Sequence, residues 1–322
     1  MTDYTINNLQ SILVKESAVT SRAEGLRHCV EDGPPLLFST GGYGSGDGGF
    51  TTLGSLANFI NNIDSYGNSA CGILPGEYAL GDYIGNGASG NSIFGLSGHS
   101  PVRLTRVQVS GNDVDVLRII NALELESLLI YPSGTGTDNS CILIVASGNE
   151  YGRIKLLDVI LNTTTLKAKH ALSFGGPTTL VNFTHFPNTL IKQTTFNPGD
   201  TSLVRFALRR SDPVDPTSDE TSTYRKVIFD DCIFFTDAGC DTVIQEAKVN
   251  GAGIVTLEPV IFRNCDFTGG KNTFTLISAE WSGPGMEFYN CRFSGPVNGT
   301  TMVLPDNSAM INCYDPSGLI VL

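Results

Sequence analysis

Between Val227 and Tyr314 the apolar and polar positions return in one order four times. The segments are Phe229-Asp-Asp-Cys-Ile-Phe234, Phe262-Arg-Asn-Cys-Asp-Phe267, Phe288-Tyr-Asn-Cys-Arg-Phe293 and Met310-Ile-Asn-Cys-Tyr-Asp315. Around each Cys the apolar side chains alternate with period 2, as in a half-buried strand. An Asp or Asn interrupts the alternation by one place. These residues accept left-handed backbone angles, so the pattern predicts two short strands joined by a sharp bend. Cys232, Cys265, Cys291 and Cys313 recur at intervals of 33, 26 and 22 residues. A motif returning at such spacing marks stacked repeats. Stacking predicts ladders of Asn, Cys and Phe along a parallel sheet.

Weaker copies precede these four. They begin at Leu104, Leu125, Leu156 and Ile191, with Val, Leu or Thr in the place of Cys. With an entry strand the chain is expected to make about ten coils. At roughly 4.8 Å per coil this is a rod on the order of 50 Å long. The excess residues fall in loops, the longest being the polar, Pro-containing stretch 209–225.

The N-terminal part reads differently. Ile6, Leu9 and Leu13 share one face at helical spacing, as expected of a docking arm or of a cap over an open end. Residues 41–49 are Gly-rich and predict a hinge. Gly44, Gly46 and Gly49 match a dinucleotide-binding spacing, but no strand and helix alternation follows to support it. Leu56, Phe59, Ile60 and Ile63 predict a short helix over 54–65, followed by Cys71-Gly-Ile-Leu-Pro-Gly-Glu-Tyr78.

The Asn-Cys-x-Phe ladders, together with this helix and Leu-Pro-Gly-x-Tyr-like turn, resemble the right-handed parallel β-helix of the pectin-lyase-like superfamily. The expected fold is therefore all-β, with an arm and hinge at 1–49 and a single-stranded parallel β-helix at 50–322. The architecture is similar to bacteriophage tail spikes, fibres and surface decorations, which are usually trimers.

Composition narrows the function. The formal net charge is −12, which disfavours nucleic acid and anionic membrane surfaces. No uncharged apolar run approaches a membrane-spanning length; the longest tidy one is Cys141–Ala146. The N-terminus lacks a basic region followed by an apolar core, so no signal peptide is expected. The eight cysteines form no CxxC or Cys/His cluster. No metal or other cofactor is therefore expected, and the in-phase cysteines are expected to be buried reduced thiols. His28, His99, His170 and His185 show no ligand spacing.

The resemblance implies that polysaccharide cleavage must be considered. Arg153-Ile-Lys155, Gly98-His99 and Asp230-Asp231 copy fragments of a polygalacturonase signature, but in the wrong order along the chain. The remaining carboxylates cluster in the long loop at Asp212, Asp215, Asp219 and Glu220, with Tyr224, Arg225, Asp237 and Asp241 following. They are weak candidates for the carboxyl pair that glycoside hydrolysis needs; a solvated acidic loop is the simpler explanation. Trp281, the only tryptophan, and Tyr224 are candidate contacts for a sugar ring or a protein partner. The expectation is a virion structural or attachment protein, made in the host cytoplasm and assembled as a homotrimer. Its arm, through Ile6, Leu9 and Leu13, would meet other virion proteins, and its body would meet a host-surface glycan. The apolar C-terminal stretch 319–322 is a second candidate contact. The alternative is a polysaccharide hydrolase or lyase.

Overall fold

The computed structural model describes residues 115–121, 123–132, 139–145, 153–175, 185–186, 188–208, 222–224, 226–240, 242–248, 255–257, 259–269, 275–277, 285–297, 304 and 307–320, and the backbone of short strands between 36 and 106. Among these residues every regular element is a strand, and every pairing but one is parallel.

The strands form three sheets, and the chain visits them in a repeating order. From Leu123–Pro132 in the first sheet it crosses to Ser140–Val145 in the second, then returns to Arg153–Leu161 in the first. Later circuits add the third sheet through His185–Phe186, Ser222–Tyr224 and Val255–Leu257. Each strand pairs with its counterpart one circuit on. The register places Leu36, Cys71, Ile93, Leu125, Leu156, Ile191, Phe229, Phe262, Phe288 and Met310 in one column. The column defines ten levels.

Leu104 is not part of that column. It pairs with Ile130, while Ile93 takes the place beside Leu125. Val102–Arg106 is the second half of its level, and its apolar spacing imitates the first half. Leu36–Phe38 falls inside the stretch expected as an arm, and it pairs in parallel with Ala70–Ile73. Ile6, Leu9, Leu13, the hinge at 41–49 and the helix expected at 54–65 lie outside the described residues.

The expected bends are present. Ser127, Asp158, Gln193, Asp231, Asn264, Asn290 and Asn312 all have φ between 50° and 56°. Such angles cost a non-glycine residue about 1–2 kcal/mol. Hydrogen bonding offsets the cost, because the ladder continues through the bend. The N–H groups of Gln193, Asp231, Asn264 and Asn290 donate to carbonyls of the next level at 2.8–2.9 Å. Just past the bend the direction reverses: Asp266, Arg292 and Tyr314 donate back to the carbonyls of Cys232, Cys265 and Cys291.

Two inward columns flank each bend. On one side Phe229, Phe262 and Phe288 stack at 4.8 and 4.9 Å. On the other Phe196, Phe234, Phe267 and Phe293 stack at 4.7, 4.7 and 5.0 Å. The two stacks meet edge to face. Such pairs contribute about 0.5–1.5 kcal/mol each beyond the area they bury. Between them runs the column Leu128, Val159, Thr194, Cys232, Cys265, Cys291 and Cys313, all fully buried or nearly so. The six described cysteines are free and buried. Each thiol of the column donates to the carbonyl one level back, Cys265 to Phe229 and Cys291 to Phe262, at 3.5 and 3.6 Å. After the last level the chain reverses: Tyr314–Asp315 pairs antiparallel with Gly318–Leu319 through Gly318, whose φ is +123°.

Candidate functional site

With Phe, Cys and Phe pointing inward, the residues between them in sequence face out. These are the places of the repeat whose residue type changes from copy to copy, and they build the outer face of the first sheet. Before the bend stand Asp230, Arg263, Tyr289 and Ile311; after it stand Ile233, Asp266, Arg292 and Tyr314. Asp231, Asn264, Asn290 and Asn312 form an exposed ridge between the two columns.

Cross-level bonds fix this surface. Asn264 Nδ2 donates to Asp230 Oδ1 at 3.3 Å, and Asn290 Nδ2 to Asn264 Oδ1 at 3.2 Å. Arg292 Nη2 donates to Asp266 Oδ2 at 2.7 Å. Asp266 Oδ1 also accepts the Thr268 N–H at 2.8 Å. The Tyr289 hydroxyl donates to Glu287 Oε2 at 3.0 Å, and that bond raises the phenol above its ordinary pKa. The result is an array of exposed guanidinium, amide and phenol groups, repeated level by level at strand spacing.

Among the described residues two further aspartates have displaced acidity, both downward. Burial pushes Asp237 up, but the Lys167 ammonium and the N–H groups of Gly239 and Cys240 outweigh it. The Ser317 hydroxyl leads the groups that hold Asp315 down. Both carboxyls are stabilised as anions. The buried thiols move the other way. Desolvation lifts Cys240 to about 11, and the bond from Cys265 leads in lifting Cys291 to about 12. They stay protonated at neutral pH and are poor nucleophiles.

The sequence candidates distribute as follows. Asp212, Asp215, Asp219, Glu220, Asp241 and Trp281 lie outside the described residues. Tyr224 is placed by its backbone in the third sheet, beside Phe186 and Leu257. Lys155 pairs with Glu124 at 3.8 Å on the neighbouring level, and Arg153 is exposed. Asp230 and Asp231 occupy the bend and the place before it, as the repeat dictates. His170 is buried, with Nδ1 2.7 Å from Ser202 Oγ. Among the described residues no cluster of His, Cys, Asp and Glu is placed to hold a metal ion, and no helix is long and apolar enough to cross a membrane. Arg263, Tyr289, Arg292 and Tyr314 escaped the sequence reading. Their signal was the alternation itself, which assigns them outward once Phe and Cys are assigned inward. No protein-family model, curated protein or solved structure matches the chain.

Proposed function

We propose that the chain is a right-handed parallel β-helix of the pectin-lyase-like kind, with the residues that precede Leu36–Phe38 as a docking arm. On this reading it serves a virus particle as a structural or attachment protein: a bacteriophage tail spike, fibre or surface decoration. It assembles there as a homotrimer and meets a host-surface glycan. The observation that carries the reading is the ten-level parallel ladder with its outer face of Tyr, Arg, Asn and Asp side chains. A stack of identical levels gives a stiff body, and its repeated polar and aromatic groups suit a repeating ligand. The chain's charge of −12 fits a neutral glycan better than an anionic one.

Asp237 and Asp315 are held as anions, so neither of these two carboxyls is poised as a general acid. Two measurements test the proposal. Mass spectrometry of purified particles should find the chain, and removal of residues 1–35, which leaves the Leu36–Phe38 level in place, should abolish its incorporation; a particle population without the chain overturns the virion reading. Incubation with host capsule or lipopolysaccharide should release no new reducing ends and no unsaturated products. Release that is lost in Asp215→Asn and Asp219→Asn installs the depolymerase in its place.

A further inference from the structure

We infer that the outer face of the last level, around Ile311, Tyr314 and Leu319, is the contact between copies of this chain, a surface that rests on the homo-oligomeric reading above. Three of the five exposed large apolar side chains among the described residues lie here, at 48, 50 and 55% exposure. Tyr314 and Leu319 are direct partners in the terminal antiparallel pair, and Ile311 lies just across the Asn312 bend.

Charge identifies the occupant. On every level from Leu156 to Phe288 the five residues centred on the bend include a charged one that is at least partly exposed, such as Asp158, Lys192, Arg263 or Arg292. On the last level, residues 310–314, they include none. The charges beside the patch are internally paired: Arg292, the ladder partner of Tyr314, donates to Asp266 Oδ2 at 2.7 Å, while Asp315 Oδ1 accepts the Ser317 N–H and hydroxyl at 2.7 Å and its Oδ2 accepts the Val297 N–H at 3.3 Å. Charge depletion with exposed Tyr and aliphatic groups is the composition of an interface centre. Two chains of charge −12 repel over most of their surfaces. They can meet closely where both present the same uncharged apolar patch, and this level supplies one. A neutral sugar would instead favour the polar ridge of the preceding levels.

Sedimentation equilibrium of the full chain tests the assignment, using wild type, Leu319→Ser and the double variant Tyr314→Glu with Leu319→Glu. Wild type should have a mass that is a multiple of 34.3 kDa. The double variant should have the mass of one chain, and Leu319→Ser should dissociate at higher concentration than wild type. Because the altered side chains are half exposed, circular dichroism and the thermal midpoint of Leu319→Ser should match those of monomeric wild type. A wild-type chain that stays at one chain's mass overturns both this surface and the oligomeric reading. An assembly that persists unchanged in both variants overturns the surface alone. A monomer that binds another purified particle protein through these residues transfers the patch to that partner and overturns the second-copy assignment.

Discussion

Asn162 ties separate parts of the chain together through one polar side chain. It is fully buried with φ of 64°. Its Oδ1 accepts the Ala168 N–H at 2.8 Å and the Cys141 thiol at 3.0 Å, and its Nδ2 donates to the Pro198 carbonyl at 3.3 Å. Asn162→Ala leaves buried groups unpaired and keeps a left-handed angle that Ala tolerates poorly. It should destabilise by about 2–4 kcal/mol in urea unfolding; a loss below about 1 kcal/mol would show that the corner relaxes around the cavity. The sequon at Asn162 is closed to glycosylation in the folded protein for the same reason. Cys265 behaves differently. A serine hydroxyl there would have acceptors at hand, because the carbonyls of Phe229 and Arg263 lie 3.5 and 3.2 Å from the sulfur. Cys265→Ser should therefore cost only about 1 kcal/mol, the loss of sulfur packing, because its hydroxyl can be satisfied. The buried thiols also set a pH limit. Below the ordinary thiol value of 9.0, folded and unfolded chains are both protonated and stability is flat. Above it the unfolded chain loses protons that the folded chain retains, up to about 11 at Cys240 and about 12 at Cys291. Each pH unit in that window should remove about 1.4 kcal/mol per thiol. Urea midpoints taken from pH 8 to 11 check this, and a flat profile would count against the buried ladder.

At the scale of an element, the levels approach so closely that some positions admit no side chain at all. A Cβ on Gly285 would collide with the backbone carbonyl of Asn307 on the next level, and backbone cannot swing aside. Gly285→Ala should cost about 1–3 kcal/mol by overpacking. Phe262→Ala removes the centre of one stack and an edge-to-face contact with the other, and should cost about 3–5 kcal/mol. Thermal unfolding distinguishes these two variants from surface changes such as Arg263→Ala, which should be near neutral. The two Phe columns and the Cys column were legible in sequence because each inward place demands a narrow range of sizes and each bend favours Asn or Asp. The earlier bends at Ser127 and Gln193 carry no such residue. They are held in the left-handed region by neighbouring levels, as the Gln193 N–H bond to Asp230 shows, and a single chain segment cannot reveal that. Register failed at Leu104 because alternation is identical in both halves of a level. The third sheet was illegible for a related reason: its strands are only two or three residues long, too short for periodicity to register. The carboxylates chosen for the long loop were selected by composition alone, whereas the outer face emerges only after the inward columns are fixed.

For the molecule as a whole, stacking makes stability a sum over levels and the contacts between them. Those contacts are unequal. The levels at Phe229, Phe262 and Phe288 have both Phe stacks and the thiol column, with each level pinned on two sides. The last level replaces Phe by half-buried Met310 and by Asp315, and its first strand, Ala309–Ile311, has a described strand on one side only. Local opening should therefore begin at the C-terminal level and advance inward, as expected when free energies of opening vary along a structure. Hydrogen exchange gives the test. Among amides bonded between levels, Asn290, which donates to Ile311 at 2.9 Å, should exchange faster than Asn264, which donates to Tyr289 at 2.8 Å, and Asp231 should be slowest. Phe262→Ala should erase this order by opening the stack at its middle, so that Asp231 and Asn264 lose protection together. Met310→Ala should speed exchange at Asn290 and leave Asp231 unchanged. If instead all three amides exchange at one rate in the native chain, and Met310→Ala shifts them equally, the levels unfold as one cooperative unit and the additive stack is the wrong description. Self-association through Tyr314 and Leu319 would add a second effect of known sign: raising protein concentration should slow exchange at Asn290 and leave Asp231 unaffected, since the contact protects the end that opens first.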